Sequence, residues 1–151
     1  MERPLNDNVL SRDSIRLGLN ATDKNEAIRQ CGQALLEAGA IQAPYAEAMF
    51  AREQEVSTYL GECFAIPHGT NESRQYINRA ALGFLQFPDG VDLDGETVHV
   101  CIPIASNSDE HVGILGALAE VLMDPDAAEK LRTTTSVDEV IALLSAIGEE
   151  E

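Results

Sequence analysis

The chain has 151 residues, with 26 Asp and Glu against 10 Lys and Arg, for a formal net charge of −16. That size suits one domain burying roughly two-thirds of the surface its unfolded chain exposes, without disulfides or structural metal. Such acidity repels phosphate backbones and anionic lipid, which disfavours nucleic acid and membrane surfaces as partners; it leaves open solubility alone or a partner with a basic face.

Residues 1–13 are polar and without period, and are read as an N-terminal arm ahead of a domain spanning 14–148, with 149–151 as an acidic tail. No apolar stretch marks a signal peptide at the N-terminus, and no run reaches the ~20 apolar residues of a membrane span. Cys31, Cys63 and Cys101 are dispersed and odd in number, so they read as reduced thiols in a cytoplasmic protein.

Alternation of Ile15, Leu17 and Leu19 predicts a first strand. Asp23 and Glu26 form a capping box before a helix carrying Ile28, Cys31, Leu35 and Ala38 inward, with Gly39 as its C-terminal stop. Pro44 opens a second helix to about Glu53, with Tyr45 and Met49 facing inward. Glu62–Ile66 reads as a short buried strand ended by Pro67-His68-Gly69-Thr70, and Ala80–Phe87 as a longer one. Pro88-Asp89-Gly90 is taken as the turn into a strand over Thr97–Ala105, with Val98, Val100, Ile102 and Ile104 on one face and Pro103 at an edge or end. A helix is predicted over His111–Met123, another from Asp124-Pro125 to about Arg132, and a last one opened by Ser136 and Glu139. Interleaved helices and strands without repeats predict an α/β sandwich: a mixed central sheet of four or five strands with helices on its faces.

The chain has no GxxxxGK[ST] or helix-opening GxGxxG for a nucleotide, no HExxH or Cys/His spacing for zinc, and no GxSxG elbow. No cofactor or metal is therefore expected. Histidines remain. His68 follows a predicted buried strand and a stiffening proline and precedes a glycine, which makes it either a nucleophile on a rigid loop or a plain loop residue. His111 falls at a predicted helix N-terminus, where an anion is favoured, though a first-turn residue facing solvent fits as well. His99 reads as structural, and Arg52 as a helix-end cation. An odd spacing on one strand separates Cys63 from His68, against a Cys–His pair.

Taken in order, Arg52-Glu53 and the run Ser57-Thr58-Tyr59-Leu60-Gly61-Glu62-Cys63-Phe64-Ala65-Ile66-Pro67-His68-Gly69-Thr70 resemble the active-site signature of the fructose/mannitol-type IIA domains of the phosphoenolpyruvate-dependent sugar phosphotransferase system. Thr58-Tyr59-Leu60-Gly61, Asn107-Ser108-Asp109-Glu110-His111 and Thr134-Thr135-Ser136-Val137-Asp138-Glu139-Val140 resemble the mannitol branch, and the likeness runs from about Ile15 to Leu144. Phe64 stands where an aliphatic residue is usual. The resemblance implies a phosphocarrier that accepts a phosphoryl group on His68 from the histidine phosphocarrier protein HPr. The group then passes to a cysteine of a IIB domain or IIBC transporter, during uptake of mannitol or a related polyol. It implies that His111 stabilises the phosphoryl group and that Arg52 supplies charge. Acids near His68 in sequence, Glu53, Glu55 and Glu62, are expected to speed encounter with HPr. The alternative within the resemblance is a nitrogen-type regulatory module that binds proteins according to the phosphorylation state of His68.

Overall fold

The computed structural model describes residues 10–55, 57–70, 72–105, 116 and 118–144, with only the backbone of 10–13. Strands β1 (Leu10–Arg16), β2 (Tyr59–Gly61), β3 (Phe64–Ala65), β4 (Ala81–Leu93), β5 (Glu96–Cys101) and β6 (Ile104–Ala105) form one mixed sheet in the order β1-β4-β5-β3-β2, with β6 also on β4. The first strand begins at Leu10, inside the stretch read as an arm, and stops at Arg16.

Period-2 burial along the central strands splits the core into two layers. Leu82, Phe84, Phe64, Val100, Ile102 and Ile104 face one side, under helical residues 118–122, α3 (Pro125–Thr133) and α4 (Val137–Leu144). Ala81, Leu85, Phe87, Ala65 and Cys101 face the other, under α1 (Lys24–Glu37) and α2 (Ala43–Glu55). The sandwich expected from the sequence is the fold observed. Asp23 caps α1 by accepting from the Glu26 amide at 2.9 Å, but Glu26 reaches back to the Thr22 amide rather than to that of Asp23. Among the described residues no helix is long and apolar enough to cross a membrane.

Three sequence assignments change. Glu62–Ile66 is not one strand: Glu62 and Cys63, at φ 56° and 70°, are the two-residue loop of the β2–β3 hairpin. Pro88-Asp89-Gly90 is not the β4–β5 turn. The turn is Asp94-Gly95, closing the pair Leu93–Glu96, and β4 runs straight through the first Asp-Gly. Between the pairs Gln86–Val100 and Val91–Val98 the β4 side carries three extra residues, an enlarged bulge. The added twist lays the hairpin tip toward α1, where Lys24 meets Asp94 at 2.9 Å, and Val98 joins the α1–α2 layer rather than that of Val100. Pro103 divides the predicted Thr97–Ala105 strand into β5 and β6 without changing register against β4, since Gly83 N–H still donates to the Pro103 carbonyl at 3.0 Å.

Gln86 is one of the buried polar residues of this core. Its amide donates to the carbonyls of Leu131 (3.2 Å) and Thr134 (2.8 Å) and accepts from the Gly18 amide (3.3 Å), joining the end of α3 to the chain after β1. Gln86→Leu strands the buried carbonyls of Leu131 and Thr134, so urea unfolding should show about 2–4 kcal/mol less stability at unchanged m. A loss within about 0.5 kcal/mol would contradict this reading of Gln86.

Candidate functional site

His68 stands where the sheet releases the chain. After β3 the ladder with β5 and β6 continues in unchanged register: Phe64 lies beside Val100, Ala65 beside Cys101 and His68 beside Ile104. The Ala65 carbonyl accepts from Ile102 N–H at 2.8 Å, and that of Pro67 from Ile104 N–H at 2.9 Å. The backbone is thus held to within one residue of the imidazole, while the side chain is only half-buried.

The tautomer follows from one contact. His68 Nδ1 lies 2.8 Å from the Ile66 carbonyl oxygen. A carbonyl only accepts, so Nδ1 carries the hydrogen, and in the neutral ring Nε2 keeps the lone pair. Burial lowers the basicity of the ring below the ordinary histidine value near 6.5. The positive charges of Arg52 and Arg74 push the same way, against the Ile66 hydrogen bond and Glu53, which push it up. The imidazole is therefore neutral near pH 7, with its lone pair on Nε2.

Beyond His68 the chain turns at once. Gly69 N–H donates to the Tyr45 hydroxyl at 2.9 Å, and that hydroxyl donates to the Ile104 carbonyl at 2.9 Å. Only a glycine fits here: a Cβ at this position would lie 2.6 Å from Tyr45 Cε1 and 2.6 Å from Ser73 Oγ. A 3-10 turn over Glu72–Tyr76 follows and brings the charge of Arg74 to bear on His68. On the other side, Glu53 is 1% exposed. Its two carboxylate oxygens accept from the Thr58 amide (2.9 Å) and hydroxyl (2.8 Å), and the Thr58 carbonyl accepts from Ile66 N–H at 3.1 Å. This path ties the end of α2, and with it Arg52, to the strand that presents His68.

Of the residues singled out from sequence, His68 and Arg52 therefore share one electrostatic site, and His111 lies outside the described residues. Cys63 is removed from His68 for a different reason than the strand parity argued above. It occupies the hairpin loop at the other end of β3, on the order of 16 Å away along an extended chain. There it lines a cavity of about 710 Å³ with Gln86, His99 and Arg132. Glu62, in the same loop, is likewise far from His68, and Glu53 is interior; among the three acids named as encounter charges, Glu55 alone is exposed on the α2 side of the site. Arg74, Tyr45 and the Glu53–Thr58 pair were not found by sequence reasoning. Arg74 carried one signal, being a rare cation six residues after His68 in an acidic chain.

Over residues 8–147 the sequence matches the family described as phosphoenolpyruvate-dependent sugar phosphotransferase system, EIIA 2. The chain belongs to this family. It is a IIA domain of that system by sequence and fold. It is 45% identical over 143 residues to the multiphosphoryl transfer protein of Escherichia coli, covering 94% of this chain but only 38% of that protein. It is 39% identical over 132 residues to the mannitol-specific phosphotransferase enzyme IIA component of Staphylococcus aureus, covering 87% of this chain and 92% of that one. It also resembles a chain in the complex of the mannitol enzyme IIA with phosphorylated enzyme IIB from Escherichia coli, with a TM-score of 0.84 and 38% identity over 91% of this chain and 97% of that one.

The position of the positive charges sets a pH test. Arg52→Gln should move the His68 midpoint upward in an NMR titration, since a cation that disfavours the imidazolium is removed. An unmoved midpoint would contradict the placement of Arg52. The sign for stability also follows: with the folded value below the unfolded one, the unfolded state binds the proton first. The contribution of His68 is therefore complete above about 6.5 and is lost as pH falls through the lower folded value.

Proposed function

We propose that this IIA component carries a phosphoryl group on Nε2 of His68, between HPr and a IIB cysteine, in cytoplasmic uptake of mannitol or a related polyol by the domain spanning 14–148. The observation that supports it most directly is the Nδ1–H bond to the Ile66 carbonyl, which leaves the lone pair on Nε2. In the first step that lone pair attacks the phosphorus of phosphorylated HPr, a nitrogen–phosphorus bond to His68 forms, and the donor's nitrogen–phosphorus bond breaks. The ring gains positive charge, which the Ile66 carbonyl is placed to meet. In the second step a IIB thiolate attacks phosphorus, a sulfur–phosphorus bond forms, and the electron pair returns to Nε2.

The transition state in such transfers is loose and in line, so the protein's part is positioning and charge stabilisation. Arg52 and Arg74 supply the positive charge on this reading, and His111 is assigned phosphoryl stabilisation on the family resemblance. The mannitol assignment draws on the relative from Staphylococcus aureus, whose length this chain nearly matches.

Incubation with phosphoenolpyruvate, enzyme I and HPr, followed by mass spectrometry, should add one phosphoryl group at His68, and none to His68→Ala. An unmodified His68, or full labelling of the variant, overturns the proposal. Phosphorylated protein that passes its group to no IIB cysteine would instead favour a regulatory module. Raising salt should slow transfer from HPr if the net charge of −16 steers a basic partner. A rate independent of ionic strength would assign the acidity to solubility.

A further inference from the structure

The sheet holds the chain as far as the Pro67 carbonyl, and His68 is the last residue in register with it. The next backbone donor, Gly69 N–H, points to a side chain, the hydroxyl of Tyr45 on α2. That same hydroxyl donates to the Ile104 carbonyl of β6. Ile104 is the residue whose own N–H already holds Pro67 and which lies beside His68 in the ladder. The imidazole is thus bracketed: Pro67 before it and Gly69 after it are fastened to the same sheet residue, once directly and once through the phenol.

We infer that Tyr45 is a positioning residue for His68, acting through Gly69 and Ile104 without touching the reacting atoms. This rests on the reading of His68 as the phosphoryl acceptor. Tyr45 does it in two ways. Its hydroxyl closes the bridge between the turn and β6, and its ring edge fills the space a side chain at Gly69 would need. Tyr45 is 2% exposed, so the bridge is shielded from competing water. Burial also raises the phenol's basicity above its ordinary value near 10, which keeps the proton on oxygen and the hydroxyl in its donor-acceptor role.

The chemical consequence concerns the direction of Nε2. The Nδ1–H bond to Ile66 spans only two residues, so its geometry depends on how the backbone at His68 is held. Without the phenol, Gly69 N–H and the Ile104 carbonyl lose a shared partner, and the turn after His68 is left to its Thr70–Ser73 bonds and, farther on, to the Gln42 N–H bond with the Tyr76 carbonyl. The imidazole then samples orientations in which the Ile66 bond is broken and the other tautomer is populated. In-line transfer is sensitive to displacements of an ångström, so the rate falls while the docking surface is unchanged.

Tyr45→Phe keeps the ring and removes the oxygen. ¹⁵N NMR of the unphosphorylated protein reads the tautomer directly and does not depend on any phosphotransferase activity. The wild type should show Nδ1 protonated and Nε2 as the lone-pair nitrogen above the His68 midpoint, and the variant a mixture of both forms. The rate of phosphoryl acceptance from HPr should fall about tenfold or more, with the apparent KM for HPr within about twofold of wild type. A variant with lower thermal stability but a wild-type tautomer spectrum and rate would make Tyr45 a packing residue only, and overturn the inference. Should the variant not fold, hydrogen exchange in the wild type decides: a Gly69 amide protected like those of the sheet supports the bridge, and one exchanging as an open loop amide refutes it. A wild-type protein that shows the expected tautomer but accepts no phosphoryl group would count against the proposed function and leave the positioning geometry standing.

Discussion

The site depends on bringing a chain out of a buried sheet to a reactive side chain without leaving backbone groups unpaired. Along β3 and its extension, alternate residues turn their carbonyls to opposite neighbours. Ala65 and Pro67 serve Ile102 and Ile104, while Ile66 faces the β2 side, where its N–H meets Thr58. Thr58, the next residue in that antiparallel register, gives its carbonyl to Ile66 but its own N–H to the Glu53 carboxylate. The Ile66 carbonyl therefore has no strand partner to satisfy, and it is this carbonyl that accepts from Nδ1 of His68. A Thr58 N–H turned toward the sheet would have claimed it. The diversion of that N–H to Glu53 thus bears on which imidazole nitrogen keeps the lone pair.

Charge at the site runs opposite to charge over the molecule. The chain is strongly acidic, yet among the described residues the charges that bear on His68 include two arginines and one carboxylate. Arg52 lies in the last turn of α2, where a cation also complements the helix dipole, and Arg74 in the 3-10 turn that follows Gly69. Both elements are fixed to the same part of the sheet. The end of α2 is held through Glu53, Thr58 and Ile66, and the 3-10 turn packs on α2 with Ser73 buried against the Gly69–Tyr45 contact. Burial first, and then the two arginines, keep the ring neutral at pH 7, and the same arginines provide attraction for an anion.

What the sequence disclosed follows from how local each signal is. Helix starts were legible because Asp23 and Ser136 bond to amides three residues on. The Pro67-His68-Gly69 turn was legible because proline and glycine constrain backbone wherever they occur. The Glu62-Cys63 loop was not, since neither residue advertises the left-handed conformation that the hairpin imposes on both. The β4–β5 turn was misplaced because two Asp-Gly pairs lie five residues apart, and the choice between them is made by packing: Val91 and Leu93 are buried, so the strand must outlast the first. Tyr45 was legible as a core residue from its helical spacing, but not as the partner of Gly69 and Ile104, because that bridge joins residues 24 and 59 positions away.

Glu53 shows the limit most sharply. Read as one acid among 26, it looked like part of a docking surface. In the fold it is interior, and a buried carboxylate beside a site for a doubly charged phosphoryl group is costly unless its own oxygens are satisfied. Thr58 satisfies both with one residue. The carboxylate cannot move away from the site without abandoning those bonds, so it remains as a fixed negative charge opposing the two arginines. For a carrier this opposition has a use. A site with two unopposed cations would hold the phosphorylated histidine too tightly to release it, whereas a group that must be accepted and given up in successive steps needs stabilisation that is strongest in the transition state, where the charge is spread, and weak on either side of it. On the proposed reading of His68 as the phosphoryl carrier, the carboxylate lowers the net attraction for the resting phosphohistidine and leaves the positive charge of Arg52 and Arg74 to act during transfer.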